Sequence, residues 1–221
     1  MKILLVGATR SEIEPFVLDW ENSSAEYPIV VEVLVTGVGM AATALQLGRK
    51  LTENPGFDLI LNAGIAGSFD RNIALGTLVQ IIEDKMVELG AETEEGFIDL
   101  EELGFGQNTY YASSQEDMPE KLKQASLIWE LKNCKAFTVN KVHGRNSSIE
   151  KITQHFPEVQ IESMEGAAVF LAASHFGIPC VQIRAVSNYV ESRNRDNWQI
   201  PLAVRNLNSW LLQFFKAGKV K

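Results

Sequence analysis

Short runs dense in Val, Ile and Leu recur along this chain and alternate with segments whose apolar residues fall at helical spacing. Strands that are apolar at every position, not just every second one, are buried on both faces, and the helices between them supply the cover. The pattern predicts an α/β fold with strands at 2–8, 29–36, 57–63, 76–83, 136–142 and 179–186. Helices are predicted at 11–22, 40–53, 147–156, 164–176 and 201–216, the first opened by Ser11 with Glu14 at capping-box spacing. At 221 residues one shared core suffices, so a single domain over 1–221 is expected. The stretch 86–115 is acidic, punctuated by glycine and without a period. It reads as a solvated excursion, a kind of segment that in α/β folds often carries one wall of a site or meets a second subunit. Lys216–Lys221 reads as a frayed tail.

Charge narrows the partners. Lys and Arg number 20 against 28 Asp and Glu, a net charge of −8, which is unsuited to a face for nucleic acid. The apolar run from Ile3 to Ala8 is too short for a signal sequence, and no apolar stretch is long enough to span a membrane. A cytoplasmic protein acting on a small molecule is the expectation. Cys134 and Cys180 lack metal-ligand spacing and read as structural, and His143, His155 and His175 lie on separate elements. Neither a metal nor another cofactor is expected.

Glycines gather where the predicted strands end: Gly7, then Gly37 and Gly39, then Gly64 and Gly67. Open α/β sheets bind ligands in the crevice beyond the carboxyl ends of their strands, where glycine lets the backbone approach closely. Neither a dinucleotide fingerprint nor a phosphate-binding Walker loop is formed. Two carboxylates stand out beside these glycines. Glu12 follows the first strand and is either a surface helix residue or a ligand-facing one. Glu165, in Glu162-Ser163-Met164-Glu165-Gly166-Ala167-Ala168, opens an otherwise apolar helix. It is either an acid favoured by the helix dipole or a group facing a ligand. The last predicted strand empties into the polar segment Ser187-Asn188-Tyr189-Val190-Glu191-Ser192-Arg193-Asn194-Arg195, a solvated loop or a catalytic one.

These segments carry a resemblance. Gly7-Ala8 with Glu12, Thr36-Gly37-Val38-Gly39, Asn62-Ala63-Gly64-Ile65-Ala66-Gly67, Ser163-Met164-Glu165-Gly166-Ala167-Ala168 and Arg184-Ala185-Val186-Ser187-Asn188 follow one another in the order seen in the nucleoside phosphorylase and nucleosidase superfamily. The chain resembles in particular the methylthioadenosine/S-adenosylhomocysteine nucleosidases and their relatives, the futalosine hydrolases. The resemblance implies a three-layer α/β/α sandwich with a mixed central sheet. It implies that Glu12 activates the attacking water, that Glu165 binds the ribose hydroxyls with Met164 packed on the sugar, and that Asn188 addresses the purine N7. Gly64, Ile65 and Ser187 fall within its site segments, and Val142-His143-Gly144 falls where the family lines the purine. Relatives are usually dimers, for which Val169, Phe170 and Phe176 are candidate core or interface residues.

The departures from that family sharpen the reading. Hexameric purine phosphorylases carry an arginine and a serine on phosphate where this chain has Asn62 and Ile65, and a further arginine where it has Glu12. An isoleucine offers no charge-assisted donor and a carboxylate repels an anion, so water is the expected nucleophile. Adenosine-type nucleosidases carry aspartate at the position of Asn188. An asparagine amide has two N–H donors, which suit N7 and O6 of a 6-oxopurine together and oppose the exocyclic amine of adenine. Hypoxanthine is therefore the expected leaving base, and hydrolysis of futalosine to dehypoxanthinylfutalosine, on a route to menaquinone, the expected reaction. The substrate's benzoate calls for a cation at the 5′ end of the nucleoside, with Arg193 and Arg195 as candidates near Trp198. Alternatives are a methylthioadenosine/S-adenosylhomocysteine or aminofutalosine nucleosidase, a purine phosphorylase, and a catalytically silent nucleoside-binding module.

Overall fold

A computed structural model describes residues 1–23, 29–94, 96–123 and 126–217 of the chain. The elements run β1 (Lys2–Gly7), α1 (Arg10–Ser23), β2 (Val30–Val35), α2 (Met40–Glu53), β3 (Leu59–Ser68), β4 (Leu78–Met86), β5 (Gly90–Thr93), β6 (Gly96–Asp99) and β7 (Thr109–Tyr111). They continue with α3 (Glu120–Lys123), α4 (Ser126–Trp129), β8 (Lys132–Thr138), α5 (Asn146–His155), β9 (Ile161–Ser163), α6 (Gly166–Phe176), β10 (Cys180–Tyr189), a 3-10 turn (Arg195–Asn197) and α7 (Ile200–Ala217). Most of the expected tail at Lys216–Lys221 lies outside the described residues.

The continuous apolar run of β1 has the predicted cause. Ile3 and Leu5 face one way, into a core with Ile13, Phe16 and Trp20 of α1 and Leu207, Leu211 and Phe215 of α7. Leu4 and Val6 face the other way, against Leu47 and Leu51 of α2 and Val169 and Phe170 of α6. The fold is thus the expected mixed central sheet between helices. Val169 and Phe170 are buried and belong to the core, and no described helix is long and apolar enough to cross a membrane.

The sheet has one feature the sequence did not announce. Its order is β2-β1-β3-β10-β4-β8-β9, and β9 returns to pair antiparallel with the end of β3. The strands from β3 round to β9 therefore close on one another, while β1 and β2 extend outward in parallel. The two longest strands, β3 and β10, lie side by side in parallel.

Several boundaries differ from expectation. The strand expected at 136–142 is Lys132–Thr138, because Cys134 and Ala136 turn inward from a segment whose lysines reach solvent. Strands β3 and β10 run past their expected ends, to Ser68 and Tyr189. The 86–115 excursion folds into the β5–β6 hairpin and β7. Both hairpin strands are largely exposed, so neither carries the two-sided apolar signal that marked the others.

Alternate residues of the inner strands carry polar side chains toward α6. Asn62 of β3 is paired in register with Gln182 of β10, and Asn62 Nδ2 donates to Gln182 Oε1 at 2.7 Å. Gln182 Nε2 donates to Asp84 Oδ2 at 2.8 Å, and Thr138 Oγ1 donates to Asp84 Oδ1 at 2.7 Å. Thr138 Oγ1 in turn accepts the backbone N–H of Ala167, in the first turn of α6, at 2.8 Å. Burial pushes the Asp84 carboxyl up to about 6, against the pull of its two donors and of Arg184. The network sets α6, and so Glu165 at its start, against four strands. Gly166 is the point of closest approach, because a Cβ there would overlap Asp84 and Gln182. Gly166→Ala is expected to lower stability by about 1–3 kcal/mol through overpacking, read from the denaturation midpoint at constant slope.

Candidate active site

Glu12 follows the carboxyl end of β1 and meets Gly64 and Ile65 of β3 and Arg184 of β10, and an open α/β sheet places its ligands at the carboxyl ends of its strands. Glu12, in the first turn of α1, is buried and its carboxylate is fixed by three donors. Thr9 N and Thr9 Oγ1 donate to Oε2 at 2.9 and 2.8 Å, and Ile65 N donates to Oε1 at 3.0 Å. Gly64 and Ile65 thus shape the seat of Glu12: one by having no side chain, the other by its backbone N–H. A Cβ on Gly64 would stand 2.9 Å from Glu12 Oε1 and would overlap Arg184 Nη1.

Arg184 is the central residue that the sequence reading gave no role. It pairs in register with Gly64, and with no side chain on its neighbour the guanidinium lies across β3. The residue is 1 % exposed, and its Nε and Nη2 have no hydrogen-bond partner among the described residues. Its charge acts on both Glu165 and Asp84. The signal was present in the sequence: one cation inside the apolar strand Cys180-Val181-Gln182-Ile183-Arg184-Ala185-Val186.

Glu165 occupies the N-cap position of α6 but makes no side-chain capping bond. Its Oε1 instead accepts the N–H of Gly39 at 2.9 Å. Gly39 holds φ at 98°, a conformation that glycine adopts without strain, and this turns its N–H toward Glu165. Burial raises the Glu165 pKa, opposed by Arg184 and the Gly39 N–H and reinforced by the negative charge of Glu12. The side chain thus turns from its own helix end to the loop before α2. Met164, next to it, is partly exposed.

A small pocket is lined in part by Gly67, His143, Glu162, Asn188, Arg193 and Trp198, and Glu12, Glu165 and Arg184 are not among its lining residues. Val142 also borders it and is partly exposed. The Ser187 hydroxyl lies 2.8 Å from Asn188 Oδ1 and 3.1 Å from the Ala66 carbonyl, so it is placed to donate to Asn188. Asn188 Nδ2 donates to the carbonyl of Tyr189 at 3.0 Å. That bond corrects one expectation: only one amide N–H of Asn188 is left for a base, not two.

His143 is the second polar group on this wall. Its backbone N–H donates to Glu162 Oε1 at 3.0 Å, and its ring Nδ1 contacts Glu162 Oε2. Glu162 is 3 % exposed and, with desolvation opposing, its hydrogen bond raises the His143 pKa. Glu162 was visible in the motif but had been assigned no part.

The two candidate arginines take different places. The Arg193 N–H donates to the carbonyl of Gly144 at 3.2 Å, which ties it to the segment expected at the purine. Its guanidinium stands 5.3 Å from the Trp198 ring centre, and Arg195 stands 5.8 Å from it. Arg193 lines the pocket together with His143 and Asn188, whereas Arg195 is not among its lining residues. Arg193 thus shares a wall with His143 and Asn188, and Arg195 stands beside Trp198 outside that lining.

Known proteins place this geometry in a family. The Phosphorylase superfamily matches residues 25–216. A futalosine hydrolase of Streptomyces coelicolor is 33% identical over 183 residues, covering 80% of this chain and 74% of that protein. A futalosine hydrolase of Acidothermus cellulolyticus is 32% identical, covering 84% of this chain and 75% of its own. Among solved structures, the 5'-methylthioadenosine/S-adenosylhomocysteine nucleosidase of Neisseria meningitidis in complex with methylthio-immucillin-A superposes with a TM-score of 0.77 at 20% identity, covering 98% of this chain and 99% of that one. The native futalosine hydrolase of Helicobacter pylori superposes at 0.75 with 17% identity, covering 98% of each chain. The chain belongs to the phosphorylase superfamily, and within it to the futalosine hydrolases.

Proposed function

We propose that this protein is a purine nucleoside hydrolase that cleaves the N-glycosidic bond of futalosine, releasing hypoxanthine and dehypoxanthinylfutalosine on a route to menaquinone. The observation that carries the hydrolytic reading is the seat of Glu12. A buried carboxylate, held by Thr9 and Ile65 from behind, stands where a phosphorolytic enzyme needs positive charge for its anion. Such a group accepts a proton from water and repels phosphate.

N-glycosidic cleavage passes through an oxocarbenium-like state, which needs help at both ends of the breaking bond. In the proposed mechanism the water oxygen bonds to C1′ as the C1′–N9 bond breaks. Glu12 takes the water proton, and the bond electrons leave with the base, which is stabilised by the free N–H of Asn188. Glu165, held by Gly39, binds the ribose hydroxyls, and Met164 packs against the sugar. The Arg184 guanidinium lies beside Glu12 at Gly64 and acts by its charge on Glu165, so it keeps two buried glutamates compatible at close range.

Two substitutions test these roles. Glu12→Gln removes the base while keeping the shape, and is expected to lower kcat by at least about a hundredfold in a folded protein; near-normal turnover would remove Glu12 from the mechanism. Arg184→Met withdraws the cation beside the carboxylates. It is expected to move the acidic limb of the kcat/KM profile to higher pH, because Glu165 without that neighbour holds its proton to higher pH. Substrate choice is read by incubating the protein with futalosine, aminofutalosine, inosine and methylthioadenosine and quantifying the free base by chromatography. Hypoxanthine from futalosine is expected to dominate, and preferential adenine release would refute the assignment.

A further inference from the structure

We infer that the His143–Glu162 pair selects the base: with the ring protonated it holds a donor toward the 6-position of the purine, and this makes the preference for 6-oxo over 6-amino nucleosides depend on pH. The inference rests on the proposed nucleosidase reading and deepens it. Asn188 has one N–H left for the base, since the other is given to the Tyr189 carbonyl. One donor can meet N7 but cannot also read position 6. A second polar group on the same wall is needed, and His143 lines that pocket beside Asn188.

The chemistry follows from which nitrogen is taken. Nδ1 is committed to Glu162, a buried carboxylate that also holds the His143 backbone N–H. Nε2 is therefore the nitrogen left for a ligand. In the imidazolium form both nitrogens carry protons, and Nε2–H donates to a carbonyl oxygen such as O6 of hypoxanthine. A 6-amino group presents N–H in the same place and meets donor with donor. In the neutral form the remaining proton stays on Nδ1, facing Glu162, and Nε2 becomes an acceptor that suits the amine.

The groups acting on the ring shift it toward the charged form relative to a free imidazole. Glu162 of β9 raises its pKa most, burial opposes, Glu88 raises it further and Lys141 lowers it. Across the pocket stand Glu191 and Arg193, one of each sign, and Glu191 is engaged by Arg71 and by Asn197. The ring of Phe69 packs edge-on at 6.3 Å between centres. Since the pKa in the fold lies above 6.5, the donor form is fully present below that value and is lost as pH rises through the folded pKa.

The test is the ratio of kcat/KM for futalosine to that for aminofutalosine, two nucleosides that differ at position 6, measured from pH 6 to 9. The ratio is expected to fall by about tenfold or more across a single ionisation. Glu162→Gln, which keeps an acceptor on Nδ1 but removes the charge, is expected to move that transition to lower pH. His143→Phe is expected to give a low ratio that no longer varies with pH. A ratio flat with pH in the parent protein, or unmoved by Glu162→Gln, overturns the inference while leaving the hydrolase assignment intact. Failure to cleave either nucleoside would instead count against the proposed function. Calorimetric binding of free hypoxanthine and adenine over the same pH range then reads the same switch without turnover: hypoxanthine favoured at low pH supports the inference, and no change overturns it.

Discussion

A guanidinium buried beneath a crevice of carboxylates is the interaction on which the rest of this structure depends. Taking a charge out of water is costly, by several kcal/mol for each ion even after relaxation, and the cost is recovered only where opposite charge and hydrogen bonds are close at hand. Arg184 is buried on β10 with Glu165 and Asp84 within its field, and its guanidinium lies beside Glu12 against Gly64. Remove the cation and two glutamates face each other in a desolvated site; remove the glycine and the cation has nowhere to lie.

Helix α6 is held to the same requirement from below. The ladder from Asn62 through Gln182 and Asp84 to Thr138 spans β3, β10, β4 and β8 and ends on a backbone N–H in the first turn of α6. Each member has a partner, which is the condition under which a buried polar network specifies one arrangement. Its result is positional: Glu165 is directed away from its helix and onto the N–H of Gly39, from across the crevice. Closure of the strands through β9 then places Glu162 against His143, on the wall of the small pocket they share with Asn188.

Much of this was legible in the sequence. The Val, Ile and Leu runs revealed strands buried on two faces, and the glycines marked the crevice, because both signals are local. Glu12, Glu165 and Asn188 were singled out by motifs in a fixed order. What escaped had a non-local cause. Arg184 acquires its meaning from Gly64 on the neighbouring strand, a pairing that no spacing along the chain reveals. Strand β9 is three residues long and exists because β8 and β3 flank it. The loss of one Asn188 donor depends on the carbonyl of the next residue turning back toward its side chain, and the position of Arg193 on a bond to Gly144. The hairpin at β5–β6 was hidden because strands exposed on both sides carry no burial signal.

Seen together, the charges explain how an acidic chain with a net charge of −8 handles its chemistry. Glu12 and Glu165 bring negative charge together around the buried cation Arg184, and Arg193 lines the neighbouring pocket with His143. That arrangement favours water over phosphate as the nucleophile, and this is the central claim. The most direct measurement is the mass of the sugar product formed from futalosine in a buffer containing excess inorganic phosphate. The account expects the free reducing sugar, formed at a rate independent of phosphate; a sugar 1-phosphate, or a rate that rises with phosphate, would contradict it.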